Sequence, residues 1–97
     1  MNNFNKPVAI TSQVSQGTFT RSLIKGSTGD DVRSLQKYLN TKGFTISSSG
    51  PGSLGNETSL FGPATEAALA KFQKANNIYP AVGLFGPITR ASVQKNP

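Results

Sequence analysis

Two copies of one short pattern decide the fold of this chain: Leu60-Phe61-Gly62-Pro63-Ala64-Thr65-Glu66-Ala67 and Leu84-Phe85-Gly86-Pro87-Ile88-Thr89-Arg90-Ala91. The two phenylalanines lie 24 residues apart, a spacing typical of a duplicated supersecondary unit. In each copy a glycine stands at the N-cap position of a helix. The proline that follows suits the first helical position, because its missing N–H would be unpaired there anyway. Each copy therefore predicts the start of a helix.

Apolar residues at helical spacing predict three helices, at about residues 29–42, 63–76 and 87–95. The buried stripe of the first helix is expected to contain Val32, Leu35 and Leu39, and that of the second Ala68, Leu69 and Phe72. The expected fold class is all-α. It is a small three-helix bundle with an internal pseudo-repeat, long loops and at most a short strand pair.

Turn-forming residues predict how these helices begin and end. Thr28 has the position of an N-cap for the first helix, with Asp31 reaching back as a capping-box partner. Gly43 and the pair Asn76-Asn77 suit left-handed helix ends. Residues 45–59 are rich in Ser and Gly and predict a long loop.

Length and composition predict one small domain at residues 19–97, preceded by a flexible linker or tail at residues 1–18. The net charge of +6 favours anionic partners such as nucleic acid, anionic lipid or a wall polymer, but the basic residues are scattered, which fits an ordinary solvated surface equally well. No stretch approaches the roughly 20 apolar residues of a membrane span, and the first 20 residues lack the apolar core of a signal peptide. We therefore expect no membrane insertion.

The residue types that most catalytic and metal sites use are scarce. The chain has no Cys and no His, which excludes disulfides, thiolate metal sites and Ser-His-Asp or Cys-His catalysis. Of its four acidic residues, Asp30, Asp31 and Glu66 stand at helix starts, where the helix dipole accounts for them. The sequence thus predicts a protein that is not an enzyme, with no catalytic residue, no metal site and no cofactor.

Three stretches carry a resemblance to a known family. After Leu23, residues 26–40 read Gly-Ser-Thr-Gly-Asp-Asp-Val-Arg-Ser-Leu-Gln-Lys-Tyr-Leu-Asn. Together with residues 61–73 and 83–90, they resemble the peptidoglycan-binding domain 1 family, whose pattern runs Gly-Ser-x-Gly-x-x-Val-x-x-Leu-Gln, then Phe-Gly-x-x-Thr, Phe-Gln, and a closing Gly-x-(Val/Phe)-Gly-x-x-Thr. The match spans about residues 19–95 in the family's order. The Asp-Gly that commonly precedes the family's Phe-Gly is absent from both copies.

The resemblance implies a non-catalytic, monomeric module that binds bacterial peptidoglycan and targets an attached or partner enzyme to the wall. It implies a location outside the cell or in the cell envelope. Amide, aromatic and basic side chains suit the hydroxyls, amides and carboxylates of peptidoglycan. The candidate ligand-binding residues are Arg33, Gln36, Asn40, Phe61, Thr65, Gln73 and Tyr79.

Structural interpretations of several candidates remain open beside the functional one. Phe61 fits the core, Gln36 and Gln73 fit hydrogen bonds to loop backbone, and Thr65 fits a helix start. Two other functions also remain open. One is a protein–protein scaffold of the same fold. The other is a basic nucleic-acid-binding domain, which is disfavoured because no helix carries a dense Arg/Lys stripe.

Overall fold

The computed structural model describes residues 19–97, so the predicted tail at residues 1–18 lies outside the described residues. Three helices follow one another in this part of the chain: α1 (Asp30–Thr41), α2 (Pro63–Ala75) and α3 (Pro87–Lys95). They confirm the predicted all-α class, with bounds that differ from the predicted ones by one residue at most. None of these helices has the length and apolarity needed to cross a membrane.

The two copies of the repeated pattern begin their helices with the same backbone geometry. Gly62 has φ −100° and ψ −173°, and Gly86 has φ −99° and ψ −168°. A proline follows each glycine in the first turn. The predicted helix starts and the pseudo-repeat are therefore confirmed.

Residues 23–28 run between the two copies and bind both of them through the backbone. Leu23 and Phe85 exchange two backbone hydrogen bonds, of 3.0 and 2.9 Å. Phe61 accepts a bond of 2.8 Å from the Gly26 N–H and donates one of 2.9 Å to the Ser27 carbonyl. In residues 19–97 these contacts form only isolated bridges rather than a strand pair. The segment nevertheless fixes the two repeat phenylalanines relative to each other.

The core is one cluster built around aromatic rings from both repeats. Phe19 meets Phe85 edge-on at 4.9 Å between ring centroids. The ring of Phe72 packs edge-on against Tyr38 and Phe44, at 5.8 and 5.6 Å between ring centroids. The buried apolar residues of the cluster are Phe19, Leu23, Val32, Leu35, Tyr38, Leu39, Phe61, Ala68, Leu69, Phe72, Phe85 and Val93.

Both long helices end as their sequences predict. Gly43 takes φ +94° after α1, and the next N–H bonds the Leu39 carbonyl at 2.8 Å. Asn77 takes φ +57° after α2, and the following N–H bonds the Gln73 carbonyl at 2.8 Å. These left-handed residues satisfy carbonyl groups that the helix itself leaves unpaired.

The predicted capping box at the start of α1 is wrong. The N-cap is Gly29, and no side chain caps the helix. Thr28 instead forms an isolated bridge with Leu60. The Asp31 carboxylate instead accepts two hydrogen bonds from the Arg21 side chain, of 2.7 and 3.0 Å. The bridge between Thr28 and Leu60 thus outweighs the local preference of Thr28 for capping the helix.

Candidate functional site

A groove lies at the start of the helix in each repeat, and equivalent positions of the two repeats line the two grooves. The first groove has a volume of about 290 Å³ and the second about 150 Å³. Six pairs of residues line the two grooves in corresponding places: Gln36 and Gln73, Leu60 and Leu84, Gly62 and Gly86, Pro63 and Pro87, Ala64 and Ile88, and Thr65 and Thr89.

A glutamine amide forms the floor of the second groove. The Gln73 Nε2 group donates to the Leu84 carbonyl at 2.6 Å and to the Thr89 hydroxyl at 3.1 Å. Its Oε1 atom accepts a bond of 2.9 Å from the Gly83 N–H. One side chain of α2 therefore holds both the incoming loop and the first turn of α3.

The same arrangement occurs under the first groove. Gln36 Nε2 donates to the Leu60 carbonyl at 3.0 Å and to the Thr65 hydroxyl at 2.9 Å, with a longer contact to the Thr58 hydroxyl. Gln36 Oε1 accepts a bond of 2.7 Å from the Thr58 N–H. Gln36 and Gln73 are each 1% exposed, so their amides act within the protein and shape the grooves from below.

The walls of the second groove are apolar, aromatic and open to solvent. Tyr79 is 64% exposed and Ile88 is 71% exposed, and Leu84 lies beside them with Ile78 half-buried below. In the first groove Ala64 stands where the second has Ile88, and no aromatic side chain from the described part of the chain lines it. Exposed apolar side chains gathered in one concave place are typical of a binding surface. The second groove is therefore the stronger candidate site.

A polar depression of about 350 Å³ adjoins the second groove. Ile78 and Ile88 line both, so the two spaces lie side by side. We call the part formed by Asn76, Asn77, Ser92 and Lys95 the polar extension. It lies between the end of α2 and the outer face of α3.

Asn40 lies away from both helix starts and holds the long loop. Its amide donates to the Gly52 carbonyl at 3.0 Å and to the Glu57 carboxylate at 2.9 Å, and its oxygen accepts a bond of 2.8 Å from the Ile46 N–H. Burial acts to raise the pKa of Glu57. The hydrogen bonds from Asn40 and from the backbone of Glu57 and Gly55, with the charge of Lys37, outweigh it and lower that pKa.

The seven residues predicted to bind ligand do not form one cluster. Gln36 and Thr65 bond each other under the first groove, while Gln73 and Tyr79 line the second. The remaining three are Arg33, which pairs with Asp30 on the exposed face of α1, Asn40 under the long loop, and Phe61 in the core. Ligand contact by these seven residues stays a prediction.

Leu84 and Ile88 are groove residues that the sequence analysis missed. Both belong to the repeated pattern, in which Leu84 precedes the buried phenylalanine and Ile88 follows the proline. The signal was available in the pattern itself, because large apolar residues beside a helix start but off its buried stripe must face solvent or a partner. In residues 19–97 no three His, Cys, Asp or Glu side chains gather as metal ligands would.

Two comparisons relate this architecture to known proteins. Residues 28–80 match the family model described as "Putative peptidoglycan binding domain". The crystal structure of the SleB N-terminal domain is similar, with a TM-score of 0.65 and 30% sequence identity over 80% of this chain and 96% of that chain. A comparison with curated proteins finds no significant match.

Proposed function

The chain belongs to the peptidoglycan-binding domain 1 family, and from this premise we propose that it binds peptidoglycan in the second groove and targets an attached or partner enzyme to the bacterial cell wall. Its place of action is then the cell envelope or the outside of the cell. The module itself works by binding, and catalysis belongs to the enzyme that it accompanies.

The exposed apolar wall of the second groove is the observation that supports this proposal. Tyr79, Leu84 and Ile88 present an aromatic ring and two branched side chains to solvent around one depression. Amino sugars have apolar C–H faces and acetyl methyl groups, which an aromatic ring and aliphatic side chains can cover. Burying one such side chain in a complex contributes about 1.5–3 kcal/mol before the costs of association.

The hydrogen bonds that hold the second groove in place also support the proposal. Gln73 fixes the carbonyl of Leu84 and the hydroxyl of Thr89, two residues that both line the groove. A groove whose walls are held before binding loses little conformational entropy when it takes up a ligand. A small module can therefore bind a repetitive polymer without rearranging.

The repeat supplies a matched pair of variants for testing the groove. Leu84→Ser removes an apolar side chain that is 45% exposed in the second groove, and Leu60→Ser removes its 55% exposed counterpart in the first. We would measure retention of the 97-residue chain on purified, teichoic-acid-free sacculi at low and at high salt. We expect the wild type and Leu60→Ser to be retained at both salts, and Leu84→Ser to bind about tenfold more weakly.

Other outcomes would contradict specific parts of the proposal. Retention at low salt alone would mean that the charge of +6 causes the binding, since screening weakens such contacts. No retention at either salt would overturn wall binding and favour a protein scaffold. A loss confined to Leu60→Ser would place the ligand in the first groove.

Targeting is tested separately by fusing the chain to a wall hydrolase. The fusion should degrade insoluble sacculi faster than the hydrolase alone, because tethering raises the local concentration of the enzyme at the polymer. On soluble muropeptides the two should be equally active. Equal rates on sacculi would contradict the targeting role and leave binding itself untouched.

A further inference from the structure

The polar extension gives the second groove two chemically different halves. Tyr79, Leu84 and Pro87 lie at the apolar half, and Ile78 and Ile88 join it to the polar half. A ligand that fills both halves must itself be apolar at one end and polar at the other.

The polar half offers hydrogen-bond donors that the protein does not use internally. Asn76 donates its amide to the Phe72 carbonyl at 2.8 Å. Within residues 19–97, by contrast, the side chains of Asn77, Ser92 and Lys95 form no hydrogen bond or ion pair, although all three line the space. An amide, a hydroxyl and an ammonium group thus stand together at the groove's end.

The polar half of the groove carries positive charge. Lys95 lies in the last turn of α3, and among residues 19–97 no acidic side chain lines either half of the groove. Neutral sugar hydroxyls would gain little from an ammonium group, whereas a carboxylate would gain a charge-assisted hydrogen bond. The charge therefore favours a ligand whose polar end is anionic.

We propose that the polar extension is a subsite for the stem peptide of peptidoglycan, with Lys95 pairing a peptide carboxylate and Asn77 and Ser92 bonding peptide amides. This inference rests on the proposed function. It adds that the module binds wall polymer that still carries stem peptides, with the sugar against Tyr79 and Leu84. Wall glycan stripped of its stems then fills only the apolar half and binds more weakly.

The test compares two soluble ligands that differ only in the stem. One is the wall disaccharide with its tetrapeptide. The other is the same disaccharide after an amidase has removed the peptide and the lactyl carboxylate that this frees has been converted to its amide. Calorimetric titration of the 97-residue chain at physiological salt should show about two- to fivefold tighter binding of the stem-bearing ligand, the range of one exposed charge-assisted contact.

Two variants isolate the proposed contacts. Lys95→Gln should abolish the preference for the stem-bearing ligand, and Lys71→Gln is its control, since it removes the same charge from the exposed face of α2. Asn77→Gly should weaken the preference without disturbing the backbone, because glycine readily adopts the φ of +57° found there.

The possible results separate this inference from the proposed function. Equal affinity of the wild type for both ligands would overturn the stem subsite, while retention on sacculi would still stand. An equal effect of Lys71→Gln and Lys95→Gln would assign the preference to overall charge and also overturn it. Failure of the wild type on sacculi would instead remove the proposed function. Tighter binding of sacculi that retain teichoic acid, with no stem preference, would assign the anionic partner to phosphate.

Discussion

Gln36 donates a hydrogen bond of 2.9 Å from its side-chain amide to the hydroxyl of Thr65, and both side chains are almost completely buried. Gln73 and Thr89 repeat the contact at 3.1 Å. Each glutamine comes from the preceding helix and each threonine from the first turn of the next. The duplication therefore preserves a polar joint between successive helices as well as a pattern of apolar residues.

Replacing Gln36 by leucine tests the joint. The variant keeps the side-chain volume but leaves the Thr58 N–H without its partner, and leaves the Leu60 carbonyl with only the longer bond of 3.4 Å from the Thr58 hydroxyl. We expect the free energy of unfolding to fall by about 2–3 kcal/mol, because each buried group left unpaired costs about 1–3 kcal/mol. Urea denaturation followed by circular dichroism measures it.

A double-mutant cycle with Thr65→Val checks the cause. If Gln36 and Thr65 act as one joint, each single variant lowers the free energy of unfolding, and the sum of these two losses should exceed the loss in the double variant. Strictly additive losses would show that the 2.9 Å contact contributes no coupling. A loss below about 0.5 kcal/mol in Gln36→Leu, the range of an ordinary surface change, would contradict a structural role.

The sequence predicted the helices well because its strongest signals are local. The Gly-Pro starts before α2 and α3 and the left-handed ends at Gly43 and Asn77 depend on a few neighbouring residues. The capping of α1 failed because residues 21 and 60, distant in sequence, determine what Asp31 and Thr28 contact. A tertiary contact of this kind leaves no trace in local spacing.

The grooves were harder to predict for the same reason. Gln36 and Gln73 have the residue type of a ligand contact and also fit hydrogen bonds to loop backbone. The fold confirms the second interpretation, since their buried amides bond the Leu60 and Leu84 carbonyls. The polar extension beside the second groove brings together Asn77, which follows α2, and Lys95, which lies in α3. Sequence analysis found Tyr79 from its residue type and could not find these neighbours.

Gly83 approaches α2 so closely that a methyl group has no room. A Cβ atom there would lie 2.6 Å from the Glu66 carbonyl oxygen, and φ is +82°. We expect Gly83→Ala to lower the free energy of unfolding by about 2 kcal/mol or more, since strain and a backbone clash add. Gly26→Ala is the matched control, because its φ is +100° and nothing lies near its Cβ position.

In the control variant Gly26→Ala the free energy of unfolding should fall by only about 1 kcal/mol, the cost of the strained backbone alone. Chemical denaturation of both variants measures the difference. Equal losses at the two positions would mean that the chain near Gly83 moves away from α2 at little cost, and would contradict the close approach.

The ion pair of Asp31 with Arg21 predicts a pH dependence. The hydrogen bonds from Arg21 are the main cause that lowers the pKa of Asp31, against an opposing effect of burial. A lowered pKa in the folded state means that the ionised carboxylate stabilises the fold above its ordinary pKa of about 4. This contribution is lost as the pH falls through the lowered value. Wild type should thus be more stable than Asp31→Asn near neutral pH.

Denaturation of both proteins between about pH 2 and 7 measures this dependence, which spans the ordinary carboxyl range. The difference in stability should shrink steadily in the acid range. Arg21→Gln removes the partner of Asp31 and should show the same shrinking difference from wild type. A difference that stays constant with pH would mean that the Asp31 charge contributes nothing.

Asn40→Ala distinguishes a loop-holding role from ligand contact. The variant removes the hydrogen bonds to the Ile46 N–H, the Gly52 carbonyl and the Glu57 carboxylate, so hydrogen exchange across residues 46–57 should rise about tenfold or more, since a lost buried bond costs 1–3 kcal/mol. Exchange in α3 should stay slow, because the hydrogen bonds of Asn40 go to the long loop. Retention on sacculi should match the wild type if the ligand lies in the second groove. Lost retention with unchanged exchange in the loop would instead make Asn40 a ligand contact and move the binding surface to the first repeat.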